Sequence, residues 1–341
     1  MEGGLLIRID RVVPIPDASA VALARREVAH CAMTMRLSEP VAGRASLVAT
    51  EMATNLVKHG GGGSLLFGAD SEQPILSLIA IDGGPGLVNL NQAMQDGYST
   101  AGSPGTGLGA IVRAASSIDV YAIAGHGTAI LALISDQQMP ATPAMHHPSR
   151  MMVAGIAIPK KSEDLCGDAW LADIGRQQTT LCVADGLGHG AGAATASSAA
   201  MRVIGHEPQA PLERIMQDAH GALRPTRGAA IGLARIDMSA SRLDFTGVGN
   251  IAGTIVEDAG SRRVISLNGI VGHEMRKVQT YSYPWTNSSV LVLQSDGISA
   301  SWNASNYPGL MQHDPALIAA VLYRDHCRGT DDATIVVARA G

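Results

Sequence analysis

Short apolar runs alternate with polar and glycine-rich stretches along the whole chain, and their lengths predict both strands and helices. In the first half, the pattern predicts a helix over residues 40–59, because a proline lies near its start and four glycines follow its end. Strands are predicted at residues 75–81 and 127–134.

The second half contains more strands, again separated by helical stretches. The pattern predicts strands at residues 151–158, 179–184, 229–236, 290–295 and 333–338, and helices over residues 191–204 and 314–325. Such a mixture predicts an α/β fold, with antiparallel sheets flanked by helices in this half.

A polar stretch with three prolines, SDQQMPATPAMHHPSR at residues 135–150, interrupts this alternation. Stretches of this composition connect domains more often than they lie inside them. The 341 residues also give roughly two domains at about 150 residues each. We therefore expect one domain over residues 1–135, a linker over 136–149 and a second domain over 150–341.

The charge balance excludes some partners. The chain has 25 Lys and Arg against 30 Asp and Glu, a net charge of −5, so no basic field favours nucleic acid or an anionic membrane. We find neither a leader nor an apolar run long enough to span a bilayer. The four cysteines are scattered, which is typical of a reduced cytoplasmic protein. We therefore expect a cytoplasmic protein.

Several polar residues of the first half are spaced in a way that suggests chemistry. One face of the predicted helix carries Glu51, Asn55, Lys58 and His59, a pattern that is also typical of a merely solvated face. Glycine clusters follow the next strand and precede a further helix, where backbone N–H groups can gather around phosphate oxygens. The candidate residues are the glycines of these clusters, the aspartate before the first cluster and the threonine that opens the last strand: Asp82, Gly84, Gly86, Gly105, Gly107, Gly109 and Thr128.

In this order, ExxxN on a helix, DxGxG after a strand, GxGLG before a helix and GT on a strand resemble the GHKL (Bergerat) ATP-binding α/β sandwich. ATNLVKHGGGG, DGYST and GxGLG narrow the resemblance to serine kinases of the RsbT type, over most of residues 5–134. The resemblance implies that Asn55 holds Mg²⁺ on the phosphates of ATP, that Asp82 accepts the adenine amino group and that Glu51 is the catalytic base. It also implies nucleotide contacts by Lys58, Gly84, Gly86, Gly105, Gly107, Gly109 and Thr128.

The stretch VADGLGHG of the second half permits two interpretations. Its glycines resemble part of a dinucleotide-binding turn, a weak pattern when it stands alone. Alternatively, Asp185 binds a metal at a strand end, and the glycines let the backbone approach the ion.

Further aspartates favour the metal interpretation. Several of them directly follow apolar runs, so we expect their carboxylates to cluster at strand ends on one edge. Unpaired carboxylates would repel one another, whereas hard cations would neutralise them, and oxygen ligands select Mg²⁺ or Mn²⁺ over zinc. The aspartates are Asp168, Asp185, Asp296, Asp331 and Asp332.

GD, DGLGHG, SDG and DDxT in this order resemble the metal-dependent protein serine/threonine phosphatases of the PPM, or SpoIIE-like, class, which have an αββα sandwich fold. TRGAAIGLARID, GVGNIAG and LYRDHCRGTDDATIVV are similar to the RsbX type, over about residues 150–339. The resemblance implies two Mg²⁺ or Mn²⁺ ions bridged by Asp185. Asp168 and the Gly186 carbonyl would bind one ion, and Asp296 and Asp331 the other.

The same resemblance places Asp332 and His189 outside the direct metal ligands. Many larger members of the class have an arginine near the chain start that binds the phosphate. We find no arginine at an equivalent position in this sequence. Lys160, Lys161 and Arg227 are the candidates for that role.

Together the two resemblances imply a bifunctional regulator of bacterial stress signalling. An ATP-dependent serine kinase domain and a metal-dependent phosphatase domain would act in opposite directions on STAS-domain regulators, the RsbS or RsbR type of antagonist, in a partner switch that includes a downstream phosphatase or sigma regulator. Two alternatives stay open for the first domain: a nucleotide-dependent module that captures STAS proteins without phosphorylating them, and an anti-sigma factor.

Overall fold

The computed structural model describes residues 4–70, 74–86, 107–136 and 150–341. The chain divides into two compact units. The N-terminal unit comprises Ile7–Met145 and Gln312–Arg324, and the C-terminal unit comprises Met1–Leu6, His146–Met311 and Asp325–Gly341. Almost all of the expected linker, 136–149, lies outside the described residues, so the domain boundary stays a prediction.

The elements of the first half alternate between strands and helices. In chain order they are β1 Leu5–Ile9, β2 Arg11–Ile15, α1 Val21–Thr34, α2 Glu39–His59, β3 Gly63–Asp70, β4 Ile75–Asp82, α3 Gly107–Ala114, β5 Ser117–Ile123 and β6 Gly127–Ile134. Strands β2 to β6 form an antiparallel sheet in the order β2-β3-β4-β6-β5. Helices α1, α2 and α3 share one apolar core with this sheet.

Helix α2 owes its position to signals at both ends and to one apolar face. The Ser38 hydroxyl accepts a hydrogen bond from the backbone N–H of Val41, and Gly60 follows the last turn. Val48, Met52 and Leu56 are fully or almost fully buried. Packing of this face against the sheet leaves Glu51 and Asn55 half-buried beside it.

A helix from the second half of the sequence belongs to the N-terminal unit. This helix, α6, spans Pro315–His326 and is buried over its first eight residues. Just before it, the His313 ring nitrogen Nδ1 lies 2.8 Å from Asp119 Oδ1 on β5, and the Asp314 backbone N–H donates to Asp119 Oδ2 at 2.8 Å. Burial raises the pKa of Asp119, but these partners outweigh it and hold the pKa below its ordinary value.

The remaining elements of the second half build two sheets. In chain order they are β7 Met151–Ile158, β8 Asp168–Ile174, β9 Gln178–Gly186, α4 Ala191–His206, α5 Leu212–Leu223, β10 Ala229–Asp237, β11 Arg242–Val248, β12 Ala252–Glu257, β13 Gly260–Arg263, β14 Ser266–Leu267, β15 Tyr281–Pro284, β16 Val290–Gln294 and β17 Ala333–Ala340. One sheet has the order β1-β7-β17-β16-β12-β13. The other has the order β14-β11-β10-β9-β8, with β15 beside β11.

The two sheets pack face to face. Trp170 of β8 lies against Gly155 of β7, where an added Cβ would come within 2.3 Å of the indole ring. Phe245, Trp285 and Leu291 are buried in the same core. Helices α4 and α5 pack on the outer face of the β9 and β10 sheet through a second core.

The strands and helices that the hydrophobic pattern predicts are confirmed to within a few residues, including the antiparallel sheets of the second half. Helix α5 was missed, although its buried residues Leu212, Ile215, Met216 and Ala219 have helical spacing. Among the described helices, none combines the length and apolar character that a membrane crossing requires.

Candidate functional site

The first candidate site lies along the polar face of α2. Glu51 and Asn55 are half-buried, and Lys58 is exposed one turn further on. Neither the Glu51 carboxylate nor the Asn55 amide makes a side-chain hydrogen bond within the described ranges.

Asp82 ends strand β4 and is held by backbone N–H groups. Its Oδ1 accepts hydrogen bonds from the N–H of Gly84 at 2.9 Å and of Thr128 at 3.2 Å, and Thr128 lies opposite Asp82 in the β4–β6 register. Burial raises the pKa of this carboxyl, while the two N–H groups oppose that shift. Its Oδ2 accepts no hydrogen bond from the described residues.

Glycines let neighbouring segments pack closely around this aspartate. An added Cβ would stand 2.7 Å from the Asp82 Cβ at Gly60, and 2.0 Å from the Asp82 carbonyl oxygen at Gly127. Gly86 has φ +72°, and a Cβ there would stand 2.2 Å from the Ile123 carbonyl oxygen. The end of α2 and the start of β6 can approach Asp82 only because Gly60 and Gly127 lack side chains, and Gly86 likewise lets the segment after β4 approach the end of β5.

The expected phosphate loop is described in part. Gly107 opens helix α3 and Gly109 lies in its first turn, whereas Gly105 and the stretch DGYST lie outside the described residues. Ile111 of α3 shares the buried core of α2, which places the start of α3 on the side of the sheet that carries Glu51 and Asn55. Helix N-termini favour anions because their first N–H groups have no partner within the helix.

The second candidate site contains the aspartates of the C-terminal unit. Asp168 opens β8 and Asp185 is the penultimate residue of β9, and the two lie directly opposite each other in the antiparallel register. Asp296 follows β16, and Asp331 and Asp332 precede β17. Neighbouring antiparallel strands bring a start and an end to the same edge, which is how residues so distant in sequence meet.

Hydrogen bonds fix several of these carboxylates. The hydroxyl of Ser295 donates to Asp168 Oδ2 at 2.6 Å, and the amide of Asn250 donates to Asp296 Oδ2 at 2.8 Å. Asp332 Oδ1 accepts from the backbone N–H of Lys160 at 2.9 Å, but its buried Oδ2 has no partner among the described residues. An unpartnered buried carboxylate oxygen is costly unless a cation or a proton neutralises it.

The cluster is electrostatically strained. Burial, and then the neighbouring Asp168, Asp296, Asp331 and Asp332 charges, raise the pKa of Asp185 to about 8. Burial raises the pKa of Asp168 to about 7, against the lowering effect of the Ser295 and Thr334 hydroxyls. Both shifts have the direction expected for carboxyls that await a neutralising charge.

Within the described part of the chain, no three His, Cys, Asp or Glu side chains are already arranged around one ion position. This finding is compatible with the raised pKa values, because charge repulsion and metal coordination act over different distances. Carboxylates repel one another across several ångströms, whereas a metal–oxygen bond spans about 2 Å, so the side chains would have to turn inward on binding. The donor chemistry, which is oxygen only with one buried oxygen unsatisfied, fits Mg²⁺ or Mn²⁺.

The turn after Asp185 is built from glycines. An added Cβ at Gly186 would stand 2.2 Å from the Ala193 carbonyl oxygen, and Gly188 and Gly190 have φ of +84° and +72°. His189 Nδ1 lies 2.7 Å from Glu163 Oε1, so this ring ties the turn to the loop before β8.

Sequence reasoning did not single out Ser295, Asn250 or Glu163, which hold members of the second site in place. Ser295 was within reach, because it stands inside the SDG motif next to Asp296. Nothing in the pattern around Asn250 or Glu163 indicates which carboxylate or ring each one contacts.

Comparisons with known proteins treat the two halves separately. The family described as "Histidine kinase-like ATPase domain" matches residues 16–134, and the family described as "Stage II sporulation protein E (SpoIIE)" matches residues 175–341. The chain is 34% identical over 92 residues to the serine/threonine-protein kinase RsbT of Bacillus subtilis (strain 168), which covers 26% of this chain and 69% of RsbT. It is 23% identical over 155 residues to the phosphoserine phosphatase RsbX of the same organism, which covers 45% of this chain and 74% of RsbX.

This chain is also similar to a solved structure from work on the bacterial stressosome, which is described as a modular system adapted to control secondary messenger signaling. The match covers 56% of this chain and 100% of the chain in that structure. The identity is 27% and the TM-score is 0.52. The structure and the family matches confirm the two α/β folds that were expected from the sequence. These are an ATPase-type sandwich followed by a PPM-type sandwich.

Proposed function

Because the chain belongs to the RsbT family of serine/threonine kinases in its first half and carries a SpoIIE-type phosphatase domain in its second, we propose that it adds and removes phosphate on one class of partner protein. The proposed partners are STAS-domain regulators of the RsbS or RsbR type. The RsbT and RsbX matches and the stressosome structure support this choice.

In the N-terminal unit, we propose that Asp82 binds the adenine amino group and that the glycines at and before α3 bind the phosphates. Asn55 would hold Mg²⁺, which neutralises charge on the phosphates. Glu51, whose carboxylate makes no hydrogen bond within the described ranges, would take the proton from the substrate hydroxyl. Lys58 and Thr128 are the proposed additional phosphate contacts.

In the C-terminal unit, we propose that Asp185 bridges two divalent cations. Asp168 and the Gly186 carbonyl would complete one position, and Asp296 and Asp331 the other. Bound cations of this kind supply a water of lowered pKa for attack on phosphorus. The buried, unpartnered oxygen of Asp332 supports adding this residue to the oxygens that face the ions.

The single observation that carries the phosphatase proposal is the pairing of Asp168 with Asp185 in the β8–β9 register, among three further carboxylates. A cluster of that charge is destabilising without cations, and all of its members except Asp168 lie within the residues that match the SpoIIE family, 175–341.

The test uses the full-length chain and a phosphorylated STAS-domain protein. We expect release of inorganic phosphate in Mn²⁺ and none in excess EDTA, with activity restored when Mn²⁺ is returned. Release that is insensitive to EDTA would contradict the metal-dependent mechanism. Absence of release in Mn²⁺ from several phosphorylated STAS proteins would contradict the proposed substrate class.

The kinase proposal is tested separately with the unphosphorylated STAS protein, ATP and Mg²⁺. Transfer of the γ-phosphate to a serine or threonine is expected. If the STAS protein binds in an ATP-dependent manner and is never phosphorylated, the N-terminal unit is a binding module. Capture of a sigma subunit in its place would identify an anti-sigma factor.

A further inference from the structure

The guanidinium group of Arg227 lies against the glycine turn that follows Asp185. An added Cβ at Gly192 would stand 2.6 Å from Arg227 Nε and 2.7 Å from its Cζ, and one at Gly188 would stand 3.2 Å from Nη1. The planar group therefore rests on two residues that have no side chain. Gly188 and Gly192 lie on either side of the N-terminus of α4, in the turn that opens with the proposed bridging aspartate.

The backbone around Arg227 is fixed on both sides. The hydroxyl of Thr226 donates to the Leu223 carbonyl at 2.7 Å and accepts from the N–H of Gly228 at 3.0 Å. The Gly228 carbonyl in turn accepts from the N–H of Leu187 at 3.0 Å, which ties this segment directly to the turn. Gly228 has φ +81°, and a Cβ there would stand 2.7 Å from the His273 ring, so glycine is required.

No partner among the described residues uses the N–H donors of Arg227. The side chain is exposed and makes no hydrogen bond or ion pair within the described ranges. Arg235 differs, because its guanidinium donates to the Pro208 and Ala210 carbonyls and to the Thr180 hydroxyl. Arg227 is thus positioned by packing, with its donors left for a ligand.

A guanidinium presents a planar fork of donors that matches two phosphate oxygens at once. The first N–H groups of α4, beside which it lies, also favour an anion. A phosphate held at the proposed cations would carry its negative oxygens beside the same turn. Lys160 and Lys161, the other candidates for this role, lie on the loop before β8, where the Lys160 backbone N–H donates to Asp332, and no atom of either lysine is among those nearest to the glycines of the turn.

We propose that Arg227 binds the phosphate group of the phosphoprotein substrate. The proposal rests on the proposed phosphatase function. Arg227 would pair with non-bridging oxygens that do not face the cations, and it would leave the metal positions themselves unchanged.

The test measures phosphate binding directly as well as turnover. The metal-loaded chain is titrated with inorganic phosphate, and product inhibition and the KM for the phosphorylated STAS protein are measured in parallel. Arg227→Ala should weaken phosphate binding and raise KM by about 10- to 100-fold, the loss expected for charge-assisted hydrogen bonds. Arg227→Lys should restore part of this loss, and Mn²⁺ affinity should stay unchanged in both variants.

Arg224→Ala is the matched control, because Arg224 is an exposed arginine three residues earlier. It should leave phosphate affinity and KM unchanged. Gly192→Ala should weaken phosphate binding in the same direction as Arg227→Ala, because the added methyl group would displace the guanidinium. If Gly192→Ala lowers the folded fraction, the Arg227 variants still decide the question.

Equal phosphate affinity and equal KM in Arg227→Ala and in the unchanged chain would overturn the proposal. If the unchanged chain binds phosphate but hydrolyses no phosphorylated STAS protein, the proposed function fails. In that case the phosphate titration of Arg227→Ala still supports or refutes the role of Arg227.

Discussion

The two candidate sites are built in opposite ways. In the N-terminal unit, backbone N–H groups hold one carboxylate, Asp82, and glycines let neighbouring segments pack closely against it. In the C-terminal unit, several carboxylates crowd together, and burial with mutual repulsion raises the pKa of Asp168 and Asp185. The first arrangement suits a ligand that donates a hydrogen bond, and the second suits cations.

This difference predicts that each site can be disabled alone. Glu51→Gln should lower phosphotransfer to the STAS protein by about 100- to 10,000-fold, the usual contribution of a general base. ATP binding should persist, because the glutamine amide has nearly the same shape as the glutamate carboxylate. Dephosphorylation should persist, because residue 51 lies in the N-terminal unit and the phosphatase site in the C-terminal unit. Steady-state phosphotransfer with labelled ATP checks this result, and Glu39→Gln, in the first turn of the same helix, is the control.

Equal phosphotransfer in Glu51→Gln and in the unchanged chain would remove Glu51 from the mechanism. An equal loss of ATP binding and phosphotransfer would assign Glu51 to nucleotide binding instead.

A smaller effect should follow from Ser295→Ala in the C-terminal unit. The Ser295 hydroxyl donates to Asp168 and accepts from the backbone N–H of Thr334, so the substitution removes the group that orients this carboxylate. Loss of such a supporting hydrogen bond typically costs about 10- to 100-fold in metal affinity. Mn²⁺ titration measures it, with Ser288→Ala, at an exposed serine, as the control.

If Ser295→Ala binds Mn²⁺ as tightly as the unchanged chain, the orientation of Asp168 does not matter for the metal site. Kinase activity should be the same in both proteins, since Ser295 belongs to the C-terminal unit.

The pH dependence of stability should separate the two sites further. The raised pKa values mean that folded Asp168 and Asp185 bind protons more tightly than the unfolded chain does between about pH 4 and 8. Without metal, this contribution therefore favours folding at low pH and is lost as the pH rises through 7 to 8. Metal binding requires the carboxylates deprotonated, so Mn²⁺ should bind more tightly at pH 8 than at pH 6.

Calorimetry with and without Mn²⁺ at the two pH values tests this sign. At 100 times its dissociation constant, Mn²⁺ should add about 2.7 kcal/mol to the free energy of unfolding. At one fixed Mn²⁺ concentration, stabilisation that is greater at pH 6 than at pH 8 would contradict the account of the cluster.

Many of the elements that carry the two sites were predictable from the sequence, because the sequence signals for them are local. The proline and glycines around α2, and the apolar runs that precede Asp82, Asp185 and Asp296, are contiguous in sequence. They predicted the elements that carry both candidate sites and the side chains at the strand ends.

What could not be predicted depends on tertiary packing. Asp168 follows no apolar run, since it opens β8 rather than ending a strand, and only the register places it opposite Asp185. The helix predicted near residue 320 is correct, but its membership in the N-terminal unit depends on the contacts of His313 and Asp314 with Asp119. The place of Arg227 on Gly188 and Gly192 likewise has no local signal.

The most direct test of two opposed chemistries in one chain is the steady-state phosphorylation of a STAS-domain protein with ATP, Mg²⁺ and Mn²⁺ present together. The unchanged chain should hold it at a low level, Asp185→Asn should drive it close to completion, and Glu51→Gln should leave it unphosphorylated. Asp258→Asn, at an exposed turn, should behave as the unchanged chain does. A phosphorylation level that is the same in Asp185→Asn and in the unchanged chain would contradict the account.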